Sequence, residues 1–206
     1  MKNESSTDTN PPTDPAGWWR HPCFVHSGLI VSGDLPTEER AARSQLADWA
    51  QLGVTHIVDV REEWSDAALV ERYAPQMSYV SAGCDDFGGK RADAWFAAVL
   101  DELGDALRDP AAVVLVHCHM GVNRGPSMAF RLLLEQGWDA VDALNAIRRS
   151  RPIAALIYAK DAVDHFHRSH GSPDTVRYTD RHRVSDWLDT NRVDVGWVIS
   201  RIRLAE

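Results

Sequence analysis

Apolar residues along this chain recur with two different periods, and the switches between them predict an alternation of strands and helices. Residues 24–31 read as an edge strand. Thr37 is placed to cap a helix in which Ala42, Leu46, Trp49 and Ala50 fall at helical spacing before Gly53 stops it. The β-branched run at 54–60 has the length and composition of a strand, and 77–81 is a weaker one. Between them, residues 62–73 can form a crossover helix. From Ala92 onward, Phe96, Val99, Leu100, Leu103 and Leu107 make one apolar stripe that Asp109-Pro110 ends.

Residues 111–116 are apolar without interruption, as expected of a central parallel strand covered on both faces. Pro126 suits the first turn of the helix that follows, which is apolar on all sides and therefore predicted to be buried. Asp139 caps a further helix carrying Val141, Leu144 and Ile147, and 153–169 reads as another. The alternation predicts an α/β domain with a mainly parallel central sheet flanked by helices. Residues 1–17 are polar and rich in Pro, Ser, Thr and Asp, a composition expected of a disordered tail. The domain is expected over 18–170. The extension 171–206 is apolar enough to pack on it, but its mixed periods leave its structure open.

Composition narrows the function classes. With 206 residues, 44% hydrophobic, the chain can bury one core. A net charge of −8 disfavours nucleic acid and anionic membrane surfaces as partners. Cys23, Cys84 and Cys118 are too few and scattered for a disulfide framework, which suits a reducing compartment. Without a signal-like or membrane-spanning run, the expected location is the cytoplasm. Oligomeric state is not legible.

The chemistry concentrates where the apolar strand ends, in His117-Cys118-His119-Met120-Gly121-Val122-Asn123-Arg124. A strand feeding a tight loop that opens a buried helix directs several backbone N–H groups, here those of residues 119–124, toward one anion. The same field favours an ionised cysteine at Cys118. The planar guanidinium of Arg124 can bind two phosphate oxygens at once, Gly121 relieves crowding at the turn, and His117 orients the loop from the strand end. Phosphoryl transfer to sulfur also needs a proton for the leaving oxygen, and Asp85 and Asp86, in a glycine-rich loop after residues 77–81, are the candidates. His165, His167 and His170 do not share one helical face, so no metal site is expected there. Arg61 either faces the site from its strand end or pairs with Glu62 or Glu63 at the surface.

His-Cys-x-x-Gly-x-x-Arg after an apolar strand resembles the signature of the cysteine-dependent phosphatases, and Gly121-Val122-Asn123-Arg124 is especially similar to the dual-specificity branch. The resemblance implies the fold of that branch and hydrolysis of phosphate monoesters without metal or cofactor, through a cysteinyl-phosphate. Substrates would be phosphorylated proteins at Tyr and Ser/Thr or small phosphomonoesters. The general acid of the branch falls on Asp86 rather than Asp85, with an aromatic pair after it at Trp95-Phe96. Residues 148–152 resemble its basic stretch. His119, Met120, Gly121, Val122, Asn123 and Arg124 would bind the phosphate. One departure stands out: the family usually has Ser or Thr directly after the arginine to stabilise the departing thiolate, and here the residue is Gly125, with Ser127 at a different family position. Slow turnover of the covalent intermediate is therefore expected. A phosphate-binding module without turnover, a phosphoinositide or sugar phosphatase, and a rhodanese-type sulfurtransferase are the alternatives.

Overall fold

The computed structural model describes residues 18–206, so the tail expected at 1–17 lies outside the described residues. Five strands form one sheet: β1 (Cys23–His26), β2 (Leu29–Ser32), β3 (His56–Arg61), β4 (Ser78–Cys84) and β5 (Val114–His117), in the spatial order β1-β2-β5-β3-β4. Only the β1–β2 pair is antiparallel, so the sheet is mainly parallel, as the alternation implied. Side chains alternate across it. Leu29, Val31, Val58, Val114 and Val116 enter one core, while Ile30, Ile57 and Leu115 enter a second on the opposite face.

The second core is closed by α1 (Glu39–Gln51), through Ala42, Leu46 and Trp49, and by α2 (Ala67–Tyr73), through Val70. The first is closed by α3 (Asp93–Leu103), α4 (Arg124–Glu135), α5 (Ala140–Ser150) and α6 (Ala159–Ser169). Helix α4 is buried almost throughout, and even its Arg131 is fully enclosed. That guanidinium is satisfied by His165 Nδ1 at 2.9 Å and by Glu135 at 2.9 Å.

Beyond shorter elements than expected, with α2 at 67–73 rather than 62–73 and β5 at 114–117 rather than 111–116, three local expectations are corrected. Residues 24–31 are not one edge strand. The chain reverses at Ser27-Gly28, where the Gly28 N–H donates to His26 Nδ1 at 3.0 Å, so that β1 takes the edge and β2 moves inside against β5. The cap of α1 is Glu38 rather than Thr37, its carboxylate accepting from the N–H groups of Arg40 and Ala41. Residues 153–158 are not helical; α6 starts at Ala159 because the preceding backbone donors are engaged by the loop after β5.

Beyond residue 170 the chain forms α7 (Asp174–Thr190) and α8 (Val195–Arg203). Helix α7 sends Val184 and Trp187 into the first core, and the indole N–H of Trp187 donates to Asn145 Oδ1 at 2.8 Å. His167 and Asp180, 3.0 Å apart, pair α6 with α7. Among the described residues no helix is long and apolar enough to cross a membrane. Trp187→Ala would open a cavity in the main core, and a loss of about 3–5 kcal/mol is expected in denaturant unfolding. A cost below about 1 kcal/mol would show that α7 is not part of the cooperative unit.

Candidate active site

Strand β5 delivers Cys118 to the edge of the sheet, and the loop 118–123 turns at Gly121, whose φ of +62° is open to glycine. A Cβ there would also collide with Arg151 and with Ser32 O. The loop is braced from behind by Arg151. Its fully buried guanidinium donates to Gly121 O (2.6 Å), Met120 O (3.0 Å), Trp19 O (2.5 Å), His21 O (3.2 Å) and Cys23 Sγ (3.4 Å). From the other side the segment 153–158 is tied on by Ala155 N–H to Val122 O (2.7 Å) and Ile157 N–H to Asn123 Oδ1 (2.7 Å).

Cys118, His119, Met120, Val122, Asn123, Arg124 and Asp86 line one cavity of about 260 Å³. A larger cleft of about 610 Å³ lies between residues 18–22 and α1, and none of the loop residues reaches it. Asp86 Oδ1 accepts from Asn123 Nδ2 at 2.6 Å and from the Tyr158 hydroxyl at 2.8 Å, which aims the carboxyl at the loop. Burial and the Asp86 charge push the Tyr158 phenol up to about 12, so it remains a donor to Asp86 at neutral pH. Asp85 points elsewhere. It pairs with Arg91 at 3.1 Å, and that hydrogen bond, with one from the Phe87 N–H, holds its carboxyl below the usual range.

Glu63 is the residue the sequence reading missed at this site. It grips Arg124 with two hydrogen bonds, Nη2 to Oε1 at 2.7 Å and Nη1 to Oε2 at 2.8 Å, and Nη1 also donates to Cys84 O at 2.8 Å. Burial acts to raise the Glu63 pKa, but the Arg124 contacts outweigh it and the carboxyl sits below its ordinary value. Arg124 has five N–H donors. Three are taken, leaving Nε–H and one Nη2–H, the two that share an edge and suit a bidentate oxyanion. Nε lies 3.4 Å from Asp86 Oδ2 without a hydrogen bond. The only signal for Glu63 in sequence was a carboxylate two residues past a strand end.

Arg61 takes neither of its expected roles. Its guanidinium is fully buried against Asp59 (2.6 Å), Asp66 (2.5 Å) and Asp34 (3.2 Å), because β3 turns it under the sheet edge rather than toward the cavity. Asp34 in turn holds His119 Nδ1 at 2.8 Å. Asp59, Asp66 and His117 bring potential metal-ligand atoms within 4.8 Å of one another, but the Arg61 cation sits among the two carboxylates. Ser127 is buried under the loop, with its Oγ accepting from Tyr158 N–H at 3.3 Å. His165 accepts from Arg131, and His170 donates to Phe166 O at the end of α6, so these histidines serve packing and capping.

No family model matches the chain. It is 32% identical over 107 residues to mouse dual specificity protein phosphatase 13B, an alignment that takes in 50% of this chain and 54% of that protein. The chain thus spans about half the length of this curated relative. In structure it is similar to human DUSP28, with a TM-score of 0.58 and 17% identity, covering 72% of this chain and 98% of that one. In sequence and fold the chain is thus similar to cysteine-dependent phosphatases of the dual-specificity branch. PTPMT1, solved in complex with PI(5)P, is a further structural neighbour, with a TM-score of 0.56, 14% identity, and coverage of 70% of this chain and 93% of that one.

In this phosphatase-type site His117 is fully enclosed behind the loop, and neither ring nitrogen has a hydrogen bond among the described residues. Burial pushes its pKa below the ordinary 6.5 despite the attraction of Asp59, so the imidazole is held neutral. The unfolded chain then binds the extra proton first. Stability contributed by neutral His117 is complete above about pH 6.5 and is lost as pH falls below it. Unfolding free energy should therefore drop between pH 7 and 5. In His117→Asn the slope should flatten by up to about 1.4 kcal/mol per pH unit; parallel pH profiles for the two proteins would refute the assignment.

Proposed function

We propose that the chain is a metal-independent phosphate monoester hydrolase of the dual-specificity type, working through a cysteinyl-phosphate. The observation that carries this reading is the edge of Arg124 that Glu63 leaves without a hydrogen bond, which lines the same cavity as Cys118 and has its Nε 3.4 Å from Asp86 Oδ2. Cys118 Sγ attacks phosphorus as the thiolate while the bond to the leaving oxygen breaks, and the Asp86 carboxyl gives that oxygen its proton. Loop N–H groups and the free Arg124 edge hold the three equatorial oxygens. Water then attacks phosphorus, its proton passes to Asp86, the S–P bond breaks, and phosphate and the Cys118 thiolate are regenerated.

The walls support a phosphorylated side chain in preference to a polyhydroxylated ring. Met120, Val122, Ile157, Val195 and Ile199 present apolar surface around the opening, which matches the ring of phosphotyrosine or the short stem of phosphothreonine. A panel of phosphotyrosine peptide, phosphothreonine peptide and a phosphoinositide, assayed with chelator present and with Cys118→Ser as control, tests the reading. Peptide turnover that vanishes in Cys118→Ser supports it, and turnover of the phosphoinositide alone would replace it.

Two outcomes bear on the individual steps. Asp86→Asn should lower kcat about 10²–10⁴-fold on phosphopeptides. The fall should be much smaller on p-nitrophenyl phosphate, whose leaving group departs without a proton; equal losses on both would remove Asp86 as the acid. Gly125 lacks the hydroxyl that its family position implies, and a Cβ there would lie 3.2 Å from Cys118 N. The native chain should show a burst of released alcohol followed by slow turnover. Gly125→Ser should speed the slow phase about tenfold, whereas Gly125→Ala should not. An unchanged slow phase in Gly125→Ser would show that the missing hydroxyl does not limit the second step.

A further inference from the structure

Helix α8 closes one side of the catalytic cavity, and its sequence divides cleanly into two stripes. Val198 and Ile202 are buried with Trp19, Met120, Val122 and Ile153, and Val195 and Ile199 pack in part against the same cluster, which seats the helix against the loop that follows β5. Asp194 caps it through the Trp197 N–H at 2.9 Å, and just beyond it Glu206 reaches His119 Nε2 at 3.1 Å, so both ends are tied down. The other stripe, Val195, Ile199 and Arg203, follows the i, i+4, i+8 row and lines the cavity beside Cys118 and Arg124.

Arg203 is the unusual member of that row. Among the described residues its side chain makes no ion pair or hydrogen bond, although most arginines of the chain are paired. The cavity wall carries two carboxylates, Glu63 and Asp86, and both are already turned toward Arg124. A phosphate dianion bound on the Arg124 edge would neutralise what charge remains there. Arg203 is left over, on the wall, with a full positive charge and a planar fork suited to a carboxylate or phosphate.

Resting on the hydrolase reading above, we propose that α8 is a substrate-recognition wall in which Arg203 reads a second acidic group close to the scissile phosphate, so that the preferred substrate class is a phosphotyrosine peptide with an acidic neighbour. The apolar residues Val195 and Ile199 flank the aromatic ring, and the guanidinium takes the neighbouring carboxylate.

The test uses binding to the full chain carrying Cys118→Ser, measured by calorimetry with two phosphotyrosine peptides that differ only in Glu or Ala beside the phosphorylated residue. The Glu peptide should bind about tenfold more tightly, the effect of one charge-assisted hydrogen bond. Adding Arg203→Gln should bring the two peptides to within about twofold, Arg203→Lys should keep part of the preference, and Arg203→Glu should reverse it. No preference in the parent, preference retained by Arg203→Gln, or no binding of either peptide overturns the proposal. Turnover by the unsubstituted chain is scored separately. Activity without an acidic preference removes Arg203 and leaves the hydrolase reading standing, whereas a preference that depends on Arg203, without activity, does the reverse.

Discussion

Arg151 is fully buried without a carboxylate among its hydrogen-bond partners, and its five N–H groups are directed at four carbonyl oxygens and one sulfur. Two of those carbonyls belong to the phosphate loop and two to the segment that leads into β1. An enclosed cation of this kind is costly to desolvate, which drags its pKa below the ordinary arginine value. What compensates is the number and fixed geometry of its acceptors. Because a carbonyl turned toward Arg151 leaves its peptide N–H turned the other way, the same contacts that satisfy the guanidinium direct loop donors toward the cavity. The left-handed conformation at Gly121 follows from the same constraint, since any side chain there would displace the guanidinium.

Around this anchor the site is assembled by pairing each charge with a partner that leaves part of it unused. Glu63 holds Arg124 by its far side and leaves one edge free. Asn123 and Tyr158 hold one oxygen of Asp86 and leave the other 3.4 Å from Arg124 Nε, without a hydrogen bond. The residues that do the holding come from different places: the loop after β3, the loop itself, and the segment before α6. In the proposed hydrolysis this arrangement would preorganise the groups before a substrate arrives, so that little rearrangement would be needed. It also explains a buried network under the sheet edge, where Arg61 with Asp34, Asp59 and Asp66 fixes the strand ends, and Asp34 reaches His119 in the loop.

The parts legible in sequence were those with a strong local cause. The uninterrupted apolar run before the cysteine pointed to a covered strand, and the helix after Arg124 to a buried one, because apolar residues surround all of it except the narrow row of Arg124, Ser127, Arg131 and Glu135. The apolar stripe of α3 was readable for the same reason. The hairpin at Ser27-Gly28 was missed because two four-residue strands joined by a short turn look like one longer apolar run. The helix expected over 153–169 starts only at Ala159 for a different reason: residues 153–158 have helical propensity, but N–H groups among them bond to Val122, Asn123 and Ser127, which lie about thirty residues away.

By itself, then, the sequence determined the order of strands and helices and the cysteine-loop-arginine unit, because hydrophobic period and residue spacing are properties of contiguous chain. The family resemblance favoured Asp86 over Asp85, but tertiary structure supplied the physical reason that Asp86 stands in the cavity, and it alone decided that Glu63 rather than Arg61 lines it and that the i+4 row of α8 forms its wall. Asp85 and Asp86 differ by one position, and only the competition between Arg91 and the Asn123–Tyr158 pair separates them. Those choices are made by hydrogen bonds between segments far apart in the chain, and no local pattern encodes which of two neighbouring carboxylates will find its partner.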